Sequence, residues 1–378
     1  MATNTSITNH KRSRSPSPPT DYRQKKIHLT SSPCSPLNKV STDHFVTVPT
    51  TTPTTFLILS DTHSHALPTQ RYPSCSVLLH AGDLTEHGTI SELRSAIDTL
   101  ASIPAELRIV IPGNHDISLD APFYTSQGGS ITDVELAHDL CYGLKSYAAQ
   151  KGITFLAQGT HTFTLPSTNA TFTLYASPCT PKYGISAFQY PTSHDIFNSP
   201  SDAITPTWGT NTSTPTSRIP ESVDIVMTHG PPKYILDSTP DGSAVGCEHL
   251  RRAIGRVRPK LLVCGHVHTG WGARRIAYKS TTSSTSTSTS SQAYTDPLLP
   301  HAQEFIGANQ VKRKGFAALA PGHSEAWRNS WALGREGKGE TLCVNAAVLG
   351  DEEEGEVAIR APWVVEIDLR VRKGEDGE

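Results

Sequence analysis

The sequence predicts an α/β fold in which mixed sheets carry helices on their outer faces. Three observations predict it. Apolar runs of strand length recur at "FLILSD", "SVLLHAGD", "RIVIPGNHD", "VDIVMTHGPP" and "KLLVCGHVH". Stretches with helical spacing stand between the early runs, the alternation that builds strand–helix–strand units. Later strands follow one another with no helix between them, which brings in antiparallel pairing.

Phe56 to Asp61 opens the folded part as a buried strand, and "SVLLHAGD" is the second, ending at Asp83. A helix follows: Thr89 with Glu92 three residues on fits a capping box, and Ile90, Leu93, Ile97 and Leu100 repeat at helical spacing. "RIVIPGNHD" is the third strand and runs into a Pro-Gly break. "TDVELAHDLCYGLKSYAAQKG" reads as one helix, with Thr132 and Glu135 as its capping box and Gly152 just past its end. "ITFLAQ", "HTFTLP" and "TFTLYASP" read as a run of antiparallel strands. Residues 191–219 form a polar loop, "VDIVMTHGPP" a strand stopped at Pro231-Pro232, "CEHLRRAIGRVRP" a helix with Leu250, Ile254 and Val257 on its apolar face, and "KLLVCGHVH" a strand. In the last strand, "WVVEIDLRV", apolar and charged residues alternate, so one face is buried and one is wet. The acidic "DEEEGE" before it reads as a solvated loop.

Two stretches lack the apolar content to offset ordering entropy: a Ser/Pro/basic tail over residues 1–50 and a Ser/Thr-rich insertion at about 278–303. They leave one domain, 54–372. The net charge of −2 sets up no field toward nucleic acid or a membrane surface. Seven cysteines without a C-x-x-C pair argue against a disulfide framework and a cysteine-based zinc finger. No window approaches the roughly 18 apolar residues of a transmembrane helix, and the N-terminus lacks the apolar core of a secretory signal. A cytoplasmic or nuclear protein is expected.

The chemistry sits where strands end. Asp61 and His63 follow the first strand, Asp83 the second, Asn114, His115 and Asp116 the third, His229 the strand before Pro231, and His266 and His268 the strand ending at Cys264. If these strands are parallel, all five ends share the rim where α/β sheets place ligands. Carboxylate, amide and imidazole donors suit Mn, Fe or Zn. Two such ions about 3.5–4 Å apart can clamp an in-line displacement at phosphorus, and a water bridging them becomes a nucleophile near neutral pH. Each motif alone is weak, since a lone H-x-H is usually a loop pair. Their order and their placement at successive strand ends carry the reading. Cys264 reads as strand packing, and Gly265 as the residue that lets the backbone turn close to the site. His65 is a candidate for the pocket lining, His87 for the substrate entrance, and His80 for the core or the support of a ligand.

The ordered set resembles the calcineurin-like metallophosphoesterase superfamily, and within it the metallophosphoesterase-domain-containing proteins similar to class III cyclic-nucleotide phosphodiesterases. "SDTHSH", "LLHAGDLTEHG", "VIPGNHD", "YASPCTPKYG", "VMTHGPP", "CGHVHTGWG" and the closing "VNAAV…APWVVEIDL" all look like that branch. The resemblance covers most of 54–372 and neither of the two polar stretches. It implies a four-layer α-β-β-α sandwich of two mixed sheets flanked by helices. It implies that Asp61, His63 and His268 hold a first divalent metal, that Asp83 bridges, and that Asn114, His229 and His266 complete a second site, with Mn the first guess. His115 would serve the leaving group, and Asp116 would orient His115 or cap the next turn. Some members carry Gly at the position of His266, which weakens the second site; here the set is complete. The usual "GNHE" is "GNHD" here.

The function expected is hydrolysis of a small phosphodiester, a cyclic nucleotide first, by a metal-bridged hydroxide. Phosphomonoesters and phosphoproteins are the alternative substrates, and a low-turnover metal-binding scaffold is the alternative class. The near-neutral charge argues against a nuclease.

Overall fold

The computed structural model describes residues 51–202, 209–278, 303–306, 317–319, 340–353 and 356–372. The tail over 1–50 and nearly all of the Ser/Thr-rich insertion lie outside them. Eleven strands build the frame: β1 (Thr51–Leu59), β2 (Cys75–His80), β3 (Ala105–Val110), β4 (Ile153–Phe155), β5 (Gly159–Thr164), β6 (Ala170–Ser177), β7 (Ile225–Thr228), β8 (Leu261–Cys264), β9 (Gly272–Ala277), β10 (Glu340–Asn345) and β11 (Trp363–Val371). The helices that matter here are α1 (Ile90–Ala101), α2 (Ile131–Cys141) and α3 (Glu248–Val257).

The ladder runs β9-β10-β8-β7-β6-β11-β1-β2-β3-β4, with β5 on β6, Gln303–Ile306 beyond β9 and Ala317–Leu319 beside β11. β1, β2, β3 and β4 are parallel, as are β6, β7, β8 and β10; β11 is antiparallel to both groups. The two sheets expected from the resemblance are the two halves of this ladder. Their strands pair where Arg370 and Val371 of β11 meet Thr171 and Ala170 of β6, and an isolated bridge links Ser60 after β1 to Ala347 after β10.

Side-chain alternation turns the ladder into layers. Phe56, Ile58, Val77, Leu79 and Ile109 from one half share a core with Phe172, Leu174, Ile225, Met227, Leu261 and Val263 from the other. The Phe56 and Phe172 rings meet edge to face at 5.7 Å across it. The intervening residues face outward. Leu57, Leu59, Leu78 and Val110 pack on Leu93, Ile97 and Leu100 of α1 and on Ala137 and Leu140 of α2. Tyr175, Val226, Leu262 and Cys343 pack on Leu250, Ala253, Ile254 and Val257 of α3. Strands buried on both faces explain why these runs are apolar throughout rather than alternating. The layers are helix, sheet, sheet, helix.

α1 starts on the capping box expected: the Glu92 amide donates to Thr89 Oγ1, and the Thr89 amide donates to Glu92 Oε2. The single helix expected over 132–152 is instead two. Its N-cap is Ser130, whose hydroxyl accepts from the Asp133 amide, so Thr132 and Glu135 do not box it. α2 ends at Cys141, the chain turns at Gly143 with φ +91°, and Ser146 caps a separate turn over Tyr147–Gln150. β4 does not open the antiparallel run expected of it; it pairs parallel with β3, because the intervening helices return the chain to the same edge. β5 and β6 do form an antiparallel hairpin. Of the acidic segment read as a loop, Asp351–Glu353 and Glu356 lie in paired antiparallel strands, Leu349–Glu353 against Glu356–Ile359. No helix among the described residues is long and apolar enough to cross a membrane.

Candidate metal centre

The carboxyl ends of β1, β2, β3, β7 and β8 open on one rim, and their loops converge. Among the described residues, three groups of donors lie with all ligand atoms within 4.8 Å of one another: Asp61, His63 and His268; Asp83, His229 and His266; and His63, Glu86 and His115. His268 Nε2 is 3.3 Å from Asp61 Oδ1, and His229 Nε2 is 3.3 Å from Asp83 Oδ2. His63 Nε2, 3.5 Å from Asp83 Oδ2, joins the first two groups. Asn114 Oδ1 is 2.8 Å from His229 Nε2. The two imidazoles of "GHVH" thus part company, His268 with Asp61 and His63, His266 with Asp83 and His229.

The backbone is bent to make this possible. Asp61, His63, Asp83 and His266 all take left-handed conformations, with φ of 55°, 41°, 54° and 65°. Each costs about 1–3 kcal/mol outside glycine, and such strain gathers at functional sites. Hydrogen bonds hold the bends: the His266 amide donates to both Asp61 oxygens at 2.9 and 3.0 Å, and the His115 amide to Asp83 Oδ1 at 2.8 Å. Glycines let the loops close. A Cβ on Gly113 would meet Asp83 Oδ1 at 2.3 Å, and one on Gly265 would meet Asp61 Oδ2 at 2.0 Å.

The electrostatics favour a cation here. Burial alone would raise Asp61, yet its bond with His268 and the nearby histidine charges hold it far below the usual carboxylate range. Asp83 is also held low against its burial, chiefly by His229. Burial opposes protonation of His229, but the Asp83 charge outweighs it and pushes the imidazole up to about 9. His266 is pushed down to about 4 by burial and by repulsion from His229. Both His63 ring nitrogens are buried, and neither makes a hydrogen bond of good geometry. Two buried carboxylates, buried imidazoles and one amide oxygen fit divalent metals.

His115 stands at the mouth, its ring 4.5 Å from that of His63 and its Nδ1 2.9 Å from the Glu86 carbonyl oxygen. Asp116 takes up neither of its expected roles. Its carboxylate does not touch the His115 ring and does not cap the following turn; it accepts from the amides of Gly113, Leu84 and Thr85 and from the Thr85 hydroxyl, tying the β3 loop to the β2 loop. His80 is buried, with Nε2 3.1 Å from Thr62 Oγ1 and Nδ1 accepting from the Gly82 amide, so it braces two ligand loops. His65 is exposed in a turn that its amide closes on the Thr62 carbonyl. His87 is exposed and turns toward Glu92, 3.5 Å away, rather than into the cluster. Cys264 is buried in strand packing, its thiol toward the Val344 carbonyl. Trp271 packs on Trp363 at 5.0 Å.

Two residues escaped the sequence reading. Glu86 brings a carboxylate 2.9 Å from His63 Nδ1. Asn345, at the end of β10, donates to the carbonyls of Leu236 and Val267 and so pins the loop of His266 and His268. The strand-end rule applied to "CVNAAV" would have found Asn345; Glu86 gave no such signal.

Fold and rim together define an α/β sandwich with a cluster of candidate metal ligands at its strand ends. A profile of the calcineurin-like phosphoesterase family matches residues 54–270, more than half of the chain, and the chain belongs to that family. It is 34% identical over 226 residues to metallophosphoesterase domain-containing protein 1 of Homo sapiens, a match that covers 58% of this chain and 62% of the human protein. The mouse protein of the same name matches to the same extent. It is 32% identical over 244 residues to "Probable rhamnogalacturonate lyase C" of Emericella nidulans, covering 64% of this chain but 19% of that protein. The chain therefore spans less than two thirds of the length of these relatives. Purple acid phosphatase PPD1 of yellow lupin, 13% identical, overlaps 84% of this chain and 54% of its own at a TM-score of 0.35, too slight a likeness to add weight.

Proposed function

We propose that this protein hydrolyses a phosphodiester at a two-metal centre, with a cyclic nucleotide as the first substrate to test. One observation carries the reading: two donor groups, Asp61–His63–His268 and Asp83–His229–His266, share one buried rim and are linked through His63 and Asp83. Asp61, His63 and His268 would hold one ion, Asn114, His229 and His266 the other, with Asp83 between them. The ions would supply charge to the phosphate and a nucleophile from water at neutral pH. Manganese is the first metal to try, with iron and zinc next.

The chain's own residues do the rest. Asp61 and Asp83 are fixed by backbone amides before any ion arrives, so little is spent on reorganising them. His229 carries its Nδ1 proton to the Ala81 carbonyl at 2.9 Å, which turns Nε2 inward. His115, with Nδ1 bound to the Glu86 carbonyl, keeps Nε2 for proton transfer to the leaving oxygen.

The test is hydrolysis of bis-p-nitrophenyl phosphate against p-nitrophenyl phosphate by the manganese-loaded protein. Turnover of the diester is expected, abolished by Asp83→Ala and reduced about 10²–10⁴-fold by His115→Ala. Two bound metals with no turnover of either ester would make this a binding protein instead, and a preference for the monoester would move the substrate class.

A further inference from the structure

We propose that Glu86 is the outer partner of His63, accepting the Nδ1 proton and thereby aiming Nε2 at the site shared with Asp61, Asp83 and His268. The inference rests on the two-metal reading of that site. A neutral imidazole has one N–H and one lone pair, so whatever takes the proton on one nitrogen decides where the lone pair points. Glu86 Oε2 lies 2.9 Å from His63 Nδ1, while Nε2 is on the side of Asp83, 3.5 Å from its Oδ2. The carboxylate meets Nδ1 off the hydrogen-bond axis, and its side chain, 46% exposed, has room to turn onto it.

Of the two carboxylates at the ring, Glu86 is the nearer, at 2.9 Å from Nδ1 against 3.5 Å for Asp83 at Nε2; the flanking rings set the ring's place but not its tautomer. The His115 and His268 rings flank it edge to face at 4.5 and 5.3 Å. The backbone at His63 is left-handed and its side chain is buried. Neither contact distinguishes Nδ1 from Nε2; Glu86 does. Its carboxylate is nearer His63 than His115, whose Nδ1 is 4.0 Å from Oε1 and is taken instead by the Glu86 backbone carbonyl. Glu86 is thus a positioning residue that acts on the metal through His63.

The competing role for Glu86 is direct ligation, since His63, Glu86 and His115 also lie within ligand distance of one another. Glutamine separates the two roles. Its side-chain carbonyl still accepts from an N–H but is a poor substitute for a ligating carboxylate. The experiment is calorimetric titration of the full-length metal-free protein with MnCl2 and with ZnCl2, for wild type, Glu86→Gln and Glu86→Ala. Glu86→Ala is expected to weaken the tighter step about 10–100-fold, with Glu86→Gln within about threefold of wild type. Nitrogen-15 spectra of the zinc-loaded proteins should show His63 protonated on Nδ1 in wild type and Glu86→Gln. Glu86→Ala binding as tightly as a wild type that takes two ions would overturn the inference alone. Glu86→Gln as weak as Glu86→Ala would replace it with direct ligation. A wild type that binds no divalent ion would remove the two-metal reading and the inference together.

Discussion

Gly265 stands between the end of β8 and the first imidazole of "GHVH", with its α-carbon against the loop after β1. An added Cβ would fall 2.0 Å from both Asp61 Oδ2 and Ser60 Oγ. Asp61 Oδ2 cannot step back without breaking the hydrogen bonds from the His266 amide, nor Ser60 Oγ without losing its bond to the Gly82 carbonyl. Gly265→Ala is therefore expected to weaken metal binding at least about tenfold and to cost about 1–3 kcal/mol through overpacking. Calorimetric titration and denaturant midpoints measure both; wild-type values for each would contradict the steric account. At this scale the Asp, Asn and His at strand ends were legible in the sequence because each follows an apolar run. Glu86 was not, because a glutamate in an exposed loop reads as a solvated charge until the fold brings His63 beside it.

The segment around Asp195 shows how a loop becomes an element. Asp195 accepts from the amides of Phe197 and Asn198 and from the Asn198 side chain, and lies 3.5 Å from His249 Nδ1. Asn198 donates in turn to the His249 carbonyl, so a polar-looking stretch is clamped to the first turn of α3. Burial alone would raise Asp195, but the adjacent His249 imidazole and the bonds from Asn198 hold it below the usual range. A depressed carboxylate contributes stability above its unfolded value of 3.8 and loses it as pH falls through the lower folded value. Asp195→Asn is thus expected to cost about 1–3 kcal/mol at pH 7, with the gap to wild type closing as pH drops below 3.8. Urea midpoints across that range test it, and a gap independent of pH would show that charge is not involved. The split of α2 from the turn at Tyr147 belongs here too. Helical spacing continues through "CYGLKS", and only the chain reversal at Gly143 ends the helix.

Across the whole molecule, the site exists because a single ladder folds on itself. β1, β2 and β3 lie in one half and β7 and β8 in the other, joined by backbone at the end of β11 on β6 and where the Val348 amide donates to the Ser60 carbonyl. The core from Phe56 to Phe172 holds the halves in register, so Asp61 can meet His268 across a chain separation of about two hundred residues. An ion held by both halves binds the folded chain and not the unfolded one. Saturation at about 100 times Kd should stabilise the protein by about 2.7 kcal/mol. The thermal midpoint is expected to rise with manganese, return on chelation, and stay unmoved in Asp83→Ala; a metal-induced rise in that variant would show the ion binding elsewhere.

The sequence by itself determined the layers and the donor set. Apolar runs of strand length, capped helices and Asp, Asn or His at each strand end follow from local chemistry that any short window displays. Tertiary structure alone decided the rest: that the two sheets are one folded ladder, that β4 runs parallel to β3, that Asp116 staples loops instead of serving His115, and that Glu86 faces His63. Each of these depends on contacts between residues far apart in the chain, and pairing across such distances is settled by packing and hydrogen-bond register, which no local pattern encodes.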